Sequence, residues 1–459
     1  MCAVIGAIVW NLTEETRSDA NALLAYMLHT SVERGRDGVG FDVITPPGVY
    51  EYRDPRPWAQ RTDRIERLLD DTVTDAVVIG NLRAEPTTEY VEHKSPNDQQ
   101  PYSARQWRVV HNGTIANDKE LRSGLVPTAI DSAAIPELLA REASDFWSFV
   151  EAVRKLKGSY AIIANQNAEP DCLYVAVNYR PVWYIETPYG MFFVSARQYL
   201  PEELNPRMVD PYSALKVRKD PESPAANVIR YSLHNPAVKQ RALVVCSGGL
   251  DSTVAAAQCV RLGMYTELIH FMYGSRAEGP EVVAVQAIGA ALGVKVTLFP
   301  LPVYKKGDSP LLDPDSKVAG GEAGAEYAYE WVPARNLLLL SVATAYAEAN
   351  GFNTVVLGNN LEEAGAYPDN EPEFIARFND MLPFAVGDGK RVRVIMPVGN
   401  MMKHEIVKLG HELAAPMHLT WSCYRAGALH CGTCGPCYMR RTAFHINNLP
   451  EVIDYVRVD

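Results

Sequence analysis

Three groups of residues have the types and spacing to do chemistry. The first is Ala242-Leu243-Val244-Val245-Cys246-Ser247-Gly248-Gly249-Leu250-Asp251-Ser252. An apolar run breaks into a small Gly-rich turn, which opens a helical pattern over 252–262. Backbone N–H groups and a helix N-terminus at the end of a strand suit an anion. The turn lacks the Gly-Lys-Ser/Thr ending of a Walker A loop, so it is not the usual kinase or GTPase cradle. The second group is Cys423, Cys431, Cys434 and Cys437, in the pattern C-x7-C-x2-C-x2-C. Four thiolates at short, Gly-rich spacing suit tetrahedral zinc, and with four protein ligands such a site is structural. Four thiolates also hold iron–sulfur clusters, and spacing alone does not choose. The third group is at the start, where Met1 precedes Cys2 and a strand-like run. Removal of the methionine exposes Cys2 as the terminal residue. Its α-amine, with a pKa of about 7.7–8, can then act as the base for its own thiol.

These groups need elements to hold them. Apolar runs over 76–80 and 109–110 lead into Asn81-Leu82-Arg83 and His111-Asn112-Gly113. Further runs over 160–164, 173–177, 182–185 and 192–195 are bounded by Gly, Pro, Asn or Asp, the pattern of a layered antiparallel sheet. Prolines at 201, 206, 211, 221, 224 and 236, without a sustained period, predict an extended connector. Beyond it, strands alternate with helices: strands over 268–272, 294–299 and 354–357, helices over 281–292 and 335–348. That alternation predicts a doubly wound parallel sheet covered on both faces. Ligands bind beyond the carboxyl ends of such strands, where the Ser247–Ser252 turn, Tyr273-Gly274 and Gly358-Asn359 fall. The expected organisation is 1–200 as one domain, 201–238 as linker and 239–459 as a second domain.

At 459 residues two domains are expected. Hydrophobic content of 47% and charged content of 22% are those of a soluble globular protein. Lys+Arg 44 against Asp+Glu 55 gives −11, which excludes a general nucleic-acid footprint. No apolar run reaches membrane-spanning length and no signal-peptide pattern precedes the start, so no membrane partner and a cytoplasmic location are expected.

The Ser-Gly-Gly-x-Asp-Ser turn resembles the pyrophosphate loop of ATP pyrophosphatases. That resemblance implies that ATP adenylates a carboxyl or amide oxygen and pyrophosphate leaves. The first half resembles the class II glutamine amidotransferases, which begin Met-Cys and carry His-Asn-Gly after a strand. Arg34, Gly35, Asp37, Gly38 and Gly40 match parts of their His-Arg-Gly-Pro-Asp-Gly-x-Gly segment, whereas Glu33 and Arg36 depart from it. The resemblance implies an N-terminal-nucleophile (Ntn) α+β fold. It makes Cys2 the nucleophile on glutamine, and the Asn112 amide and Gly113 N–H the oxyanion hole. Arg83 would hold the glutamine carboxylate and Asp131 its α-amine. Other readings of these residues are structural: Asn112-Gly113 as a hairpin turn, and Asp131 as a helix N-cap.

The second half resembles 7-cyano-7-deazaguanine synthase, the QueC family. The match runs through Phe271-Met272-Tyr273-Gly274, Val332-Pro333-Ala334-Arg335-Asn336, Leu357-Gly358-Asn359, Gly365-Ala366-Tyr367-Pro368-Asp369, Pro372-Glu373-Phe374, Lys403-His404-Glu405-Ile406-Val407 and Thr420-Trp421-Ser422-Cys423-Tyr424. That family uses ATP twice, turning a 7-carboxy-7-deazaguanine into the amide with ammonia and then into the nitrile. The resemblance implies that Ser247, Gly248, Gly249, Asp251 and Ser252 hold ATP phosphate with magnesium. Arg335 and Asn336 would line the nucleotide and substrate site, with zinc near it. Ser275 stands where the family has Gln, Asn370 where it has Cys, and Glu362-Glu363-Ala364-Gly365 where it has Asp-Tyr-Ser-Gly.

Together the halves resemble amidotransferase–QueC fusion proteins of queuosine and archaeosine-type metabolism. The expectation is ATP- and glutamine-dependent nitrogen transfer to a 7-deazaguanine, giving the nitrile or an archaeosine-type amidine, with ammonia carried along a protected passage. tRNA, DNA or a partner protein are the other acceptors considered. Alternatives are a QueC-like factor that attaches deazaguanine to a partner protein in antiviral defence, and an asparagine-synthetase-like ligase.

Overall fold

The computed structural model describes residues 2–58, 67–84, 95–220, 223, 225–234, 239–321, 330–364, 367–387 and 390–456. The chain divides into two compact units, Met1–Pro236 and Ala237–Asp459.

Among the described residues the first unit carries β1 (Ala3–Val9), β2 (Gly38–Thr45), β3 (Gly48–Asp54), β4 (Ala76–Arg83), β5 (Tyr102–Ala104), β6 (Trp107–Ile115) and β7 (Gly158–Gln166). It continues with β8 (Glu169–Val177), β9 (Trp183–Thr187), β10 (Gly190–Val194), β11 (Arg207–Met208), β12 (Ser213–Lys219) and β13 (Ala226–Ser232). They form two antiparallel sheets, in the orders β11-β9-β10-β1-β4-β2-β3 and β13-β12-β8-β7-β6-β5. Every residue of β1 is buried, because both of its faces are covered. Ala3, Ile5, Ala7 and Val9 pack toward the helix Glu14–Thr30. Val4 and Ile8 pack against Val110, Ile163 and Val175 of the other sheet. A Cβ on Gly6 would stand 3.0 Å from the Ile163 side chain, so glycine there permits the close approach of the sheets. Helices Ala134–Glu142 and Phe146–Val153 cover the outer face of the second sheet. The unit is therefore four layers, helix–sheet–sheet–helix, the Ntn-type arrangement expected.

The period of two along a strand decides which side chains meet between the sheets. Val77 and Ile79 of β4 face that interior, so Asn81 and Arg83 continue the same face. Val110 of β6 does likewise, and Asn112 follows it. Cys2 extends the alternation of Val4. Ala3 pairs with Leu82, which brings Cys2 to the end of β4 that carries Arg83.

The stretch 201–238, expected as a connector, is not one over its described part. β12 joins β8 and β13 joins β12, so both complete the second sheet. Ala214, Leu215 and Val217 supply the buried face. Pro201, Pro206 and Pro211 lie between elements and not within them, where proline is tolerated. Pro221, Pro224 and Pro236 lie outside the described residues.

The second unit is a five-stranded parallel sheet. Its strands are β14 (Arg241–Val245), β15 (Tyr265–Met272), β16 (Lys295–Pro300), β17 (Thr354–Val356) and β18 (Arg393–Ile395), in the order β16-β15-β14-β17-β18. Helices Leu250–Arg261, Lys403–Glu412 and Gly435–Ile446 cover one face, and Arg335–Ala349 and Pro372–Ala385 the other. The chain runs outward from β14 to one side and then returns to β17 on the other. The crevice for ligands opens at that reversal, beyond β14 and β17. Gly358 follows β17 there, and a Cβ on it would stand 2.5 Å from Ser252 N and Cα. Gly358→Ala therefore overpacks the start of the helix Leu250–Arg261. The expected cost is about 1–3 kcal/mol, read as a fall in Tm of roughly 2–4 °C per kcal/mol in thermal unfolding.

Candidate active sites

In the first unit Cys2 is half-buried. The Ala84 amide donates to its Sγ at 3.4 Å, and the Ala84 carbonyl lies 3.6 Å away. Arg83 is buried and donates to the Asp98 carbonyl. Burial raises the Asp98 carboxyl, but hydrogen bonds from Ser95 and Thr128 outweigh it and hold the group below its usual range. Asn112 and Gly113 lie within β6, opposite Ala161 and Tyr160, so they are not a hairpin turn. Asn112 is 3% exposed, and its side-chain amide makes no hydrogen bond among the described residues. Gly113 has φ +150°, and a Cβ there would stand 1.9 Å from the Ser159 carbonyl oxygen, so no other residue fits. Asp131 opens the 3-10 turn Asp131–Ala133. It does not cap the following helix: Oδ2 accepts from Ile115 N at 2.5 Å and Oδ1 from Ser132 Oγ at 3.0 Å. Gly35 packs on Leu82, and Asp37 N donates to Arg83 O at 2.9 Å, so the partly matching Arg34–Gly40 segment sits against the Arg83 end of β4.

In the second unit one cavity is lined by Ser247, Gly249, Asp251 and Ser252, by Arg335 and Asn336, and by Cys423. Gly248 has φ +81°, and a Cβ would stand 2.9 Å from Glu281 O, so the loop needs glycine there. Asp251 Oδ2 pairs with Lys403 and accepts from Asn360 Nδ2 at 2.9 Å, while its buried Oδ1 has no hydrogen bond. Arg335 stands at the cavity wall with Nη1 3.4 Å from Tyr273 Oη, and it makes no ion pair among the described residues. Asn336 is buried against Asp369 and Asn370 of the 3-10 turn Pro368–Asn370. The Asp369 carbonyl fixes which end of the Asn336 amide is NH2 (3.2 Å), and that NH2 in turn donates to Asn370 Oδ1. Asn359 also donates to that oxygen at 2.8 Å, so the Asn370 NH2 is left for the cavity. Of the Glu362-Glu363-Ala364-Gly365 departure, Glu362 accepts from Lys403 N at 2.9 Å; Gly365 and the side chains of Glu363 and Ala364 lie outside the described residues.

The four tail cysteines offer Sγ atoms that all lie within 4.8 Å of one another. Hydrogen bonds from the neighbouring thiols, then from the Cys431 and Arg425 amides, hold Cys423 well below an ordinary thiol. Four Sγ atoms this close together, three of them buried, fit a tetrahedral zinc ion. The tail reaches the phosphate-type loop directly, since Trp421 N donates to Gly248 O at 2.8 Å.

Sequence reasoning missed several groups here. Glu281 is enclosed beside Gly248 and accepts from Ser275 Oγ at 2.8 Å. Burial pushes its carboxyl up to about 7. His270 donates from Nδ1 to Cys246 O at 2.9 Å and is 2% exposed, leaving Nε2 without a hydrogen bond. Neither position carries a motif; only the turn at 273–275 signalled that the helix bearing Glu281 borders the crevice.

Residues 241–448 match the family model "Queuosine biosynthesis protein QueC", and residues 88–202 match "Glutamine amidotransferase domain". The two units thus make a glutamine-hydrolysing, ATP-dependent C–N ligase of two fused parts. The chain is 42% identical to "7-cyano-7-deazaguanine synthase" of Sulfolobus acidocaldarius, over 99% of this chain and 100% of that one. It is 40% identical to the protein of the same name from Saccharolobus solfataricus, over 99% of each chain. The Methanothrix thermoacetophila protein of that name matches 47% of this chain and 98% of its own, at 41% identity. The chain belongs to the 7-cyano-7-deazaguanine synthase family, in a form that carries its own amidotransferase unit. Among solved structures, a glutamine phosphoribosylpyrophosphate amidotransferase from B. subtilis covers 90% of each chain at 13% identity and a TM-score of 0.39, too slight a likeness to carry an argument. Among the described residues no helix is long and apolar enough to cross a membrane.

Two outcomes are expected. The purified chain holds about one zinc ion, and Cys434→Ser releases most of it and lowers Tm; metal analysis and thermal unfolding measure both. Glu281 is protonated more readily folded than unfolded, so its folded-state pKa is raised. Its contribution to stability is present below the unfolded value and is lost as pH rises through about 7. Glu281→Gln therefore gains Tm over the parent as pH goes from about 5 to about 8, with little difference at the acid end.

Proposed function

We propose that the protein converts a 7-carboxy-7-deazaguanine into 7-cyano-7-deazaguanine, with glutamine as the nitrogen source and ATP as the activator. The Cys2 thiol attacks the side-chain amide carbon of glutamine. Asn112 and the Gly113 N–H take the oxyanion, ammonia leaves, and water releases glutamate. Arg83 holds the glutamine carboxylate and Asp131 its α-ammonium group. In the second unit the Ser247–Ser252 turn binds the ATP phosphates, and Asp251 Oδ1, which takes no hydrogen bond, is the oxygen that would hold magnesium. ATP adenylates the acceptor carboxyl with loss of pyrophosphate, and ammonia displaces AMP to give the amide. A second adenylation on the amide oxygen, followed by loss of AMP, leaves the nitrile. Arg335 and Asn336 line the acceptor, and the four cysteines hold zinc, which shapes the tail beside it.

The observation that carries the reading is the cavity shared by the phosphate-type loop, Arg335 and Cys423, on a chain similar over its full length to synthases of that name. The test is incubation with ATP, magnesium, 7-carboxy-7-deazaguanine and either glutamine or ammonium, with products identified by mass. Cys2→Ala is expected to lose glutamine-supported product by more than about 10³-fold while keeping ammonium-supported product. Intact glutamine-supported synthesis in that variant, or an amidine in place of the nitrile, sinks the proposal.

A further inference from the structure

His111 links the strand of Arg83, the carbonyl that packs Gly113 and the turn of Asp131. Its backbone N–H donates to Gln100 Oε1 at 2.6 Å, and its carbonyl accepts from Asn81 Nδ2 at 3.2 Å, two residues before Arg83. Its ring Nε2 lies 3.2 Å from the Ser159 carbonyl oxygen, the same atom against which Gly113 is packed. Its ring Nδ1 lies 2.7 Å from Ser132 Oγ, and that hydroxyl donates to Asp131 Oδ1 at 3.0 Å. Both side chains are buried, His111 at 1% and Ser132 at 4% exposure. No motif singled out Ser132, and the nitrogen transfer derived above gives neither residue a step.

We propose that Ser132, anchored by the His111 ring, is a positioning residue that fixes the rotation of the Asp131 carboxylate for the substrate's α-ammonium group. The inference rests on the reading of Asp131 given above. An aspartate carboxylate turns easily about its last bond, which has only broad preferences. Here Oδ2 is tied to the Ile115 amide at 2.5 Å, and Ser132 Oγ is the side-chain partner of Oδ1. With the proton on Nδ1, the ring donates to Ser132 Oγ while that hydroxyl donates to Asp131 Oδ1, so Ser132 Oγ is held between two partners, one on β6 and one at the 3-10 turn. The ring thereby sets Asp131 in register with Asn112 and Gly113, so that the ammonium-binding oxygen and the oxyanion donors keep one spacing. The ligand class this selects is an amide bearing an α-ammonium group four carbons from the cleaved bond's nitrogen end, as in glutamine, over the same amide without it.

The test follows ammonia release by the full chain from glutamine and from 4-carbamoylbutanoate, which is glutamine without its α-amino group. Ser132→Ala is expected to raise KM for glutamine about tenfold, the scale of one hydrogen bond to a charged group. kcat for glutamine and both constants for 4-carbamoylbutanoate should stay within about threefold. Ser132→Cys, which keeps a weak donor of similar size, should give a smaller rise with the same selectivity, and it carries the test if the alanine variant does not fold. An equal rise for both substrates marks a general structural role and overturns the proposal, as does no rise at all. Asp131→Asn separates the two layers of the argument. If it fails to weaken glutamine selectively, the assignment of Asp131 falls. If it succeeds where Ser132→Ala does not, only the positioning role falls.

Discussion

The hydrogen bond from Trp421 N to Gly248 O is the constraint on which the second unit's site depends. Gly248 lies in the turn between β14 and the helix Leu250–Arg261, in the left-handed region and packed against the Glu281 backbone. A turn of that kind is stiff only if something holds its carbonyls. The residue that does so lies 173 positions later in number, two before Cys423. The Trp421 ring nitrogen donates to Cys423 O at 2.8 Å, and the buried Arg440 guanidinium ties Thr420, Ser422 and Met417 together. The thiol cluster and the loop are thus one mechanical piece. Loss of the cluster's geometry is felt at Gly248 through a single residue.

The first unit solves a different problem. Its chemistry-bearing side chains come from strands in two separate sheets, and no single turn can set their spacing. Strand alternation delivers Cys2, Arg83 and Asn112 to the space between the sheets. Gly6 and Gly113 allow the backbones to come close enough. The remaining freedom is rotational, and buried polar partners remove it. Buried polar networks stiffen a site only as far as their members are satisfied, and His111 brings both its backbone groups and its ring Nδ1 to this one.

Local signals carried much of this into the sequence. The Gly-rich turn, the four-cysteine spacing and the alternating elements of the second half are local, and each corresponds to an element observed there. Asn112-Gly113 was ambiguous because the same dipeptide serves hairpins; pairing with β7 across nine residues decides for a strand interior. The prolines of 201–238 misled because proline marks the ends of strands as readily as the absence of strands, and the β8–β12 pairing that decides between the two spans distant sequence. Glu281, His270 and Ser132 were not legible. Each is an ordinary residue whose character comes from what folds around it: Glu281 is raised to about 7 chiefly by burial.

Arg335 stands at the cavity wall with a weak contact to Tyr273 and no direct ion pair among the described residues, the Glu281 and Asp369 carboxylates acting on it from further off. A carboxylate entering the cavity would be the first group to pair with it directly. On the proposed chemistry the same molecule leaves as a neutral nitrile, and the attraction that drew it in is gone. On that chemistry the guanidinium would favour the entering acid over the neutral amide and nitrile that follow it.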